Sequence, residues 1–292
     1  MYRTLLDFPA LGLHLRPAET FVLLAIAVVL FVGPAWAERL EGLDRRAVRR
    51  AMLVLAVCVL IGGRLHFLLN YPQAYAGRPL EALILWRGGQ HIPGGILALA
   101  LAAPFVARRF GLPLGRFGDA LVPSIGVGIA IVRTGCFLQG CCFGSLSSYP
   151  WSVTFPADSS PHITHEMLGL LAPGATRSLA VHPLQLYYVA AGLALTAVAL
   201  WLRPRKRYDG QVALVGLLLF SLLNVAGLEV FRGETSLRVY WGPLPQLMWS
   251  GLAMGAATAG LLLALAVRQW RAARLGRAVG WARSTPRTES LR

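Results

Sequence analysis

Charge is scarce in this sequence: Asp, Glu, Lys and Arg make up 14% of 292 residues, against 56% hydrophobic residues. Soluble domains carry about a quarter charged residues, so a water-soluble enzyme of this length is excluded. Long polar stretches are missing as well. Apolar runs of about 17 to 25 residues recur along the chain, each long enough to cross a hydrocarbon core of about 30 Å. There is no internal repeat, and no low-complexity tract beyond the polar tail. The segment before the first apolar run lacks a basic start followed by a small-residue cleavage site, so no cleaved signal is expected. Cysteine is rare, and three of the four cysteines, Cys136, Cys141 and Cys142, fall close together.

What is abundant is arginine between apolar runs, and the formal net charge is +15. The arginines sit in short clusters and not on an amphipathic recognition element, so no nucleic-acid partner is expected. They read as topogenic charge with acidic lipid headgroups as natural neighbours. The apolar pattern predicts spans near 20–36, 51–70, 94–110, 118–136, 184–202, 211–230 and 244–267. The third is the weakest, because Pro104, Arg108 and Arg109 cut into it. Positive charge in 37–50, 108–116, 203–210 and the tail assigns these segments to the cytoplasm and the amino terminus to the outside. The expected fold is an all-α polytopic membrane protein with about seven transmembrane helices. It forms one helical domain over 1–270, with 137–183 as an extracytoplasmic loop or cap and 271–292 as a basic, flexible cytoplasmic tail.

Ionisable groups at the edge of a bilayer core are costly, which makes them functional candidates. Under this topology Arg64, His91, Arg133 with Cys136, Cys141 and Cys142, His182 with Gln185, and Glu229 with Arg232 all map to the outer side. Arginine suits a phosphate, because its planar fork donates two parallel hydrogen bonds and keeps its charge. Three arginines at one leaflet thus point to an anionic phospholipid headgroup. Glu229 and Arg232, three residues apart on a helix, share a face. For the cysteine cluster a disulfide, a metal site and a reactive thiol compete. Zinc wants four ligands and the histidines lie on separate segments, so no metal is assigned. Cys58, in mid-span, reads as a small hydrophobe.

The ordered motifs resemble the bacterial prolipoprotein diacylglyceryl transferase family from about Gly63 to Gln246. Gly62-Gly63-Arg64 is similar to its Gly-Ala-Arg, and Trp86 through Gly95 to its Trp-x-Gly-Gly-x-x-x-His-Gly-Gly. Arg133 through Gly144 falls on Arg-x-Gly-Asn-Phe-x-Asn-Gly-Glu-x-x-Gly. Pro150-Trp151, Phe155-Pro156, His182 through Tyr187, and Glu229-x-x-Arg232-x-Glu234 follow in order. The resemblance implies a bacterial inner-membrane enzyme that moves a diacylglyceryl group from phosphatidylglycerol to the cysteine thiol of a lipobox-containing secreted precursor, releasing glycerol phosphate. It implies no cofactor. Its site would comprise Arg64, Arg133, Gln139, His182, Gln185, Arg232 and Glu234 for binding, with His91 or Glu229 assisting thiol deprotonation; Cys141 and Cys142 are further candidates for chemistry, from the cysteine cluster and not from the resemblance.

This sequence departs from the family pattern at polar positions. Pro93 stands where the family has His, Cys136 and Gln139 where it has Asn, Cys141 where it has Glu, and Val225 where it has Arg. A second reading is therefore a thiol-based redox or covalent lipid-relay protein using Cys136, Cys141 and Cys142. A third, a small-solute carrier, is disfavoured by the lack of comparable polar residues toward the cytoplasm.

Overall fold

The computed structural model describes residues 6–8, 13–75, 89, 91–233 and 240–284. Its long elements are helices: α1 (Pro17–Glu41), α2 (Arg45–Asn70), α3 (Ile92–Arg109), α4 (Leu114–Gln139), the short α5 (Ser160–Met167), α6 (Leu184–Leu202), α7 (Gln211–Leu219) and α8 (Gln246–Ser284). Two antiparallel ribbons add a few strand residues, Leu6–Phe8 with Leu13–Leu15 and Tyr240–Trp241 with Leu244–Pro245. Among the described residues, six helical stretches are long and apolar enough to cross a membrane. The 18-residue α3 is not one of them, and Pro104, Arg108 and Arg109 lie within it. The molecule is a polytopic helical membrane protein.

The first four helices begin earlier than the apolar runs do, whereas α6 and α7 begin where those runs begin. Asp44 caps α2, its carboxylate accepting from the Ala47 amide at 2.7 Å, so Arg45, Arg46, Arg49 and Arg50 belong to the helix and the connection from α1 shrinks to residues 42–44. Such a cap satisfies an amide that has no partner within the helix. α8 continues as far as Ser284, into the arginine-rich tail.

α4 is the centre of the bundle, packed against α1 on one side and α6 and α7 on the other, while α2 pairs with α3. Glycine sets the α4–α6 spacing: a Cβ on Gly126 would lie 2.6 Å from the Gly192 carbonyl, and one on Gly192 2.6 Å from that of Gly126. Small residues that let backbones approach are the means by which membrane helices gain packing, since lipid tails leave no hydrophobic force between them.

One end of the bundle is an ionic knot. Asp119, fully buried, accepts from Lys206 Nζ at 3.0 Å and from the Gly210 and Ala213 amides at 2.9 Å, thereby capping α7. Lys206 also reaches Glu41 at 2.7 Å and Asp209 at 3.4 Å, and Arg203 reaches Glu41 at 3.2 Å. Burial alone would lower the Lys206 pKa, but its hydrogen bonds to the Glu41 and Asp119 carboxylates and their charges outweigh it and the pKa is raised. The opposite end carries the segment 140–183, a cap built on buried Phe143, Phe155 and Val181.

Candidate functional site

Three segments meet under the cap. Antiparallel bridging joins Gly144 to Arg232, with the Ser145 amide donating to the Phe231 carbonyl at 2.7 Å and the Gly233 amide to that of Phe143 at 3.1 Å. On the other side, the Gly144 amide donates to His182 at 3.1 Å and the His182 amide to Ser145 at 3.0 Å. A side chain at Gly144 would strike His182, its Cβ falling 2.6 Å from the His182 Cβ. The ends of α4, α6 and the α7 span are fixed to one another by backbone contacts that any side chain at Gly144 would displace.

The α7 span reaches this junction by an irregular path. After Leu219 the chain winds as a π-helix over Phe220–Gly227 and then as a 3-10 turn over Leu228–Phe231. A π turn admits an extra residue and re-aims everything after it. Glu229 ends up 3% exposed, with its carboxylate 3.4 Å from the Arg232 guanidinium. Arg133, on α4, lies over the face of Tyr188 on α6, with its Cζ 4.0 Å from the ring centroid. Sequence reasoning did not single out Tyr188, since a tyrosine in an apolar span has no distinguishing signal.

The cysteines close the α4 end of the site. Gly140, at φ 82°, turns the chain out of α4, and the Gly140 and Cys141 amides both donate back to the Cys136 carbonyl, at 2.9 and 3.1 Å. Cys142 follows at φ 56°, a conformation that non-glycine residues seldom adopt. This turn folds the three sulfurs within 4.8 Å of one another, and no disulfide joins them. Cys136 is buried, while Cys141 and Cys142 are half-buried. The Cys142 thiol is pulled down by hydrogen bonds from the Cys136 and Cys141 thiols and by the charges of Arg133 and Arg232, while the same thiol contacts push Cys141 up.

Gln185, fully buried, donates to the Cys141 carbonyl at 2.7 Å, and its Oε1 has no hydrogen-bond partner among the described residues. His182 meets the Tyr187 hydroxyl at 3.1 Å, and that hydroxyl accepts from Trp151 Nε1 at 2.7 Å. Exposed Tyr149 stacks on Trp151 with centroids 4.9 Å apart.

The other expected residues make the following described contacts. Gln139 accepts from the Ala18 amide at 3.0 Å, so it caps the start of α1. Arg64, 3% exposed, donates to the Gly89 carbonyl at 3.3 Å. His91 links α2 to the start of α3: its amide donates to Gly63 at 3.1 Å, its carbonyl accepts from the Gly95 amide at 3.3 Å, its ring nitrogen meets that of His66 at 3.1 Å, and its ring abuts Phe67 and Tyr71. Burial and the neighbouring His66 lower its pKa, which favours the neutral imidazole. Sequence reasoning overlooked His66. Glu234 lies outside the described residues.

The family model for prolipoprotein diacylglyceryl transferase matches residues 11–270. The chain belongs to this family. A phosphatidylglycerol–prolipoprotein diacylglyceryl transferase of Bordetella avium is 31% identical over 195 residues, 65% of this chain and 67% of that relative. Those of Methylobacillus flagellatus and Xanthomonas oryzae pv. oryzae are each 31% identical, over 182 and 224 residues, covering 62% and 72% of their own lengths. The aligned stretch thus spans about two thirds of these relatives. The family and the apolar helices make the chain a multi-pass protein of the inner membrane.

Proposed function

We propose that this protein transfers a diacylglyceryl group from phosphatidylglycerol to the cysteine thiol of a secreted lipoprotein precursor, at a site facing the periplasm. The observation that carries this reading is the convergence of Arg133, Arg232 with Glu229, and the thiol cluster at one end of the bundle. Two guanidiniums close to one place suit a phosphodiester whose departing phosphate must be held and its charge offset. Glu229 orients Arg232, and Tyr188 orients Arg133. The orphaned Oε1 of Gln185 would accept from a hydroxyl of the lipid's glycerol headgroup. The stacked Tyr149 and Trp151 would sit at headgroup level. The orientation follows from the positive-inside rule: Arg39, Arg108, Arg109 and Arg203 lie at the Asp119 end, leaving the cap outside.

The test is a mass-resolved transfer assay. Purified protein in phosphatidylglycerol nanodiscs is given a lipobox peptide, and the masses of peptide and protein are both followed. A diacylglyceryl increment on the peptide supports the transferase reading, and its loss in both Arg133→Ala and Arg232→Ala supports their phosphate role. Retained activity in either variant sinks that residue's part.

A second reading is favoured by the three sulfurs within 4.8 Å of one another. Here the protein relays a lipid or redox equivalents through its own cysteines. It is supported if the lipid mass appears on Cys141 or Cys142 and not on the peptide.

A further inference from the structure

We propose that Cys136, Cys141 and Cys142 hold one zinc-type divalent ion as three thiolates, and that its fourth coordination position takes the thiol to be alkylated. The proposal rests on the transferase reading above only for the identity of that fourth ligand.

Tetrahedral zinc with bonds of about 2.3 Å places its sulfurs about 3.8 Å apart. The three sulfurs here, within 4.8 Å of one another, meet that spacing with small side-chain adjustments. They are gathered by one turn: a left-handed glycine at 140, amides locked onto the Cys136 carbonyl, and a left-handed backbone at Cys142. Holding a non-glycine residue at φ 56° is unfavourable unless the surroundings enforce it, and such positions collect at ligand sites. Three thiolates on a divalent ion leave a net charge of −1, and the charges of Arg133 and Arg232 act on this turn. Among the described residues no histidine or carboxylate joins the group. Structural zinc sites are closed by four protein ligands, whereas sites that do chemistry keep one position open. With Cys141 and Cys142 half-buried, that position can be reached from outside the protein.

The open position meets a need of the reaction. A thiol must lose its proton before it can attack carbon, and the described contacts of the His91 ring are with His66, Phe67 and Tyr71. Glu229 is engaged with Arg232. A metal-bound thiol is deprotonated outright. The acceptor sulfur binds as thiolate and its proton passes to water. Its lone pair then forms the C–S bond to the glyceryl carbon while the C–O bond to phosphate breaks, the electron pair leaving on the phosphate oxygen between Arg133 and Arg232. The thioether produced is neutral and a weaker ligand, which frees the position. No oxidant or reductant is consumed.

Cobalt(II) is the probe. Metal-stripped full-length protein in phosphatidylglycerol nanodiscs is titrated with Co2+, and bound metal and absorption are read together. The expected result is one ion per chain with an intense thiolate-to-cobalt charge-transfer band and tetrahedral visible bands. These are lost in Cys141→Ser and Cys142→Ser and kept in Cys58→Ser. These half-exposed positions are read before buried Cys136, and monodisperse elution of each variant shows that it folds. A lipobox peptide should strengthen the charge-transfer band, and its Ser analogue should leave it unchanged. Substoichiometric binding, binding that survives both serine variants, or a purified protein two hydrogens light in a Cys–Cys crosslink overturns the proposal. Chelator-insensitive transfer by metal-free protein overturns it while leaving the transferase reading intact. Three-thiolate metal binding without any peptide product supports the site and refutes that reading instead.

Discussion

Replacing Asp119 by Ala should be among the most destabilising single changes in the arginine-rich end of the bundle. Its carboxylate is fully buried and accepts from Lys206 and from the amides of Gly210 and Ala213. Losing it leaves two amides at the start of α7 without their acceptor, about 1 kcal/mol each. Lys206 keeps Glu41 at 2.7 Å, so its charge is not stranded, and the lost contact adds about 1–2 kcal/mol. The total is about 3–4 kcal/mol. Asp119→Asn keeps one oxygen for the amides and should lose about half of that. The assay is reversible unfolding by sodium dodecyl sulfate in mixed micelles, followed by tryptophan fluorescence. Arg116→Ala is the comparison, because its pair with Asp209 is half-exposed on both sides and should be worth less than about 1 kcal/mol. Equal losses in Asp119→Ala and Arg116→Ala would refute the reasoning, since burial and helix capping would then add nothing to a simple ion pair.

The same knot should give the protein an alkaline limit. The folded pKa of Lys206 is raised, so its contribution is complete below the unfolded lysine value and is lost as pH rises through the folded one; unfolding midpoints of the wild type should fall in that window and those of Lys206→Met should fall less. At the acid side Asp209 behaves oppositely: burial would raise its pKa, but Arg116 and Lys206 bring it down, so its contribution is present above the unfolded Asp value and fades as pH falls through the folded one, an effect that Asp209→Asn should remove. Tyr188→Leu should lower kcat/KM in the transfer assay about 5- to 30-fold, the equivalent of about 1–2 kcal/mol for a desolvated cation–π contact, while Tyr188→Phe retains most activity; an equal loss in both would assign the effect to the hydroxyl. Gly192→Val should cost about 1–3 kcal/mol or prevent folding, because even a Cβ would press on the Gly126 carbonyl; wild-type detergent stability would mean that α4 and α6 separate freely.

The helices were legible because a lipid-facing surface needs apolar side chains whatever the protein does. The same rule hid the helix starts: Arg45 through Arg50 look like a loop by hydropathy, yet one capping aspartate makes them the first turns of α2. At the site, Arg133, Arg232, Glu229 and the cysteines stood out because ionisable groups and clustered thiols are unusual in such a background. Their partners did not. Tyr188 is indistinguishable from any span tyrosine until α6 is set against α4, and His66 acquires meaning only from the ring that meets it. Gln139 shows the converse case, a polar residue in a telling motif whose described contact is with the first turn of α1. Long-range pairing depends on how helices are rotated and offset, and hydrophobic patterning along one helix carries little of that information.

The junction of residues 143–145 with His182 and with 231–233 bears on how the chain is made. Arg133 and the three thiols enter the membrane with α4, but the strand that carries Arg232 leaves the ribosome only after some ninety further residues, on the order of 5–20 s later at ordinary synthesis rates. Through that interval the cap has no closing strand, and the cysteine turn stands without one of its two arginines. Assembly of the site is thus a late event on this side of the bundle. A nascent chain stalled before Phe231 should present its thiols more openly than the finished protein does.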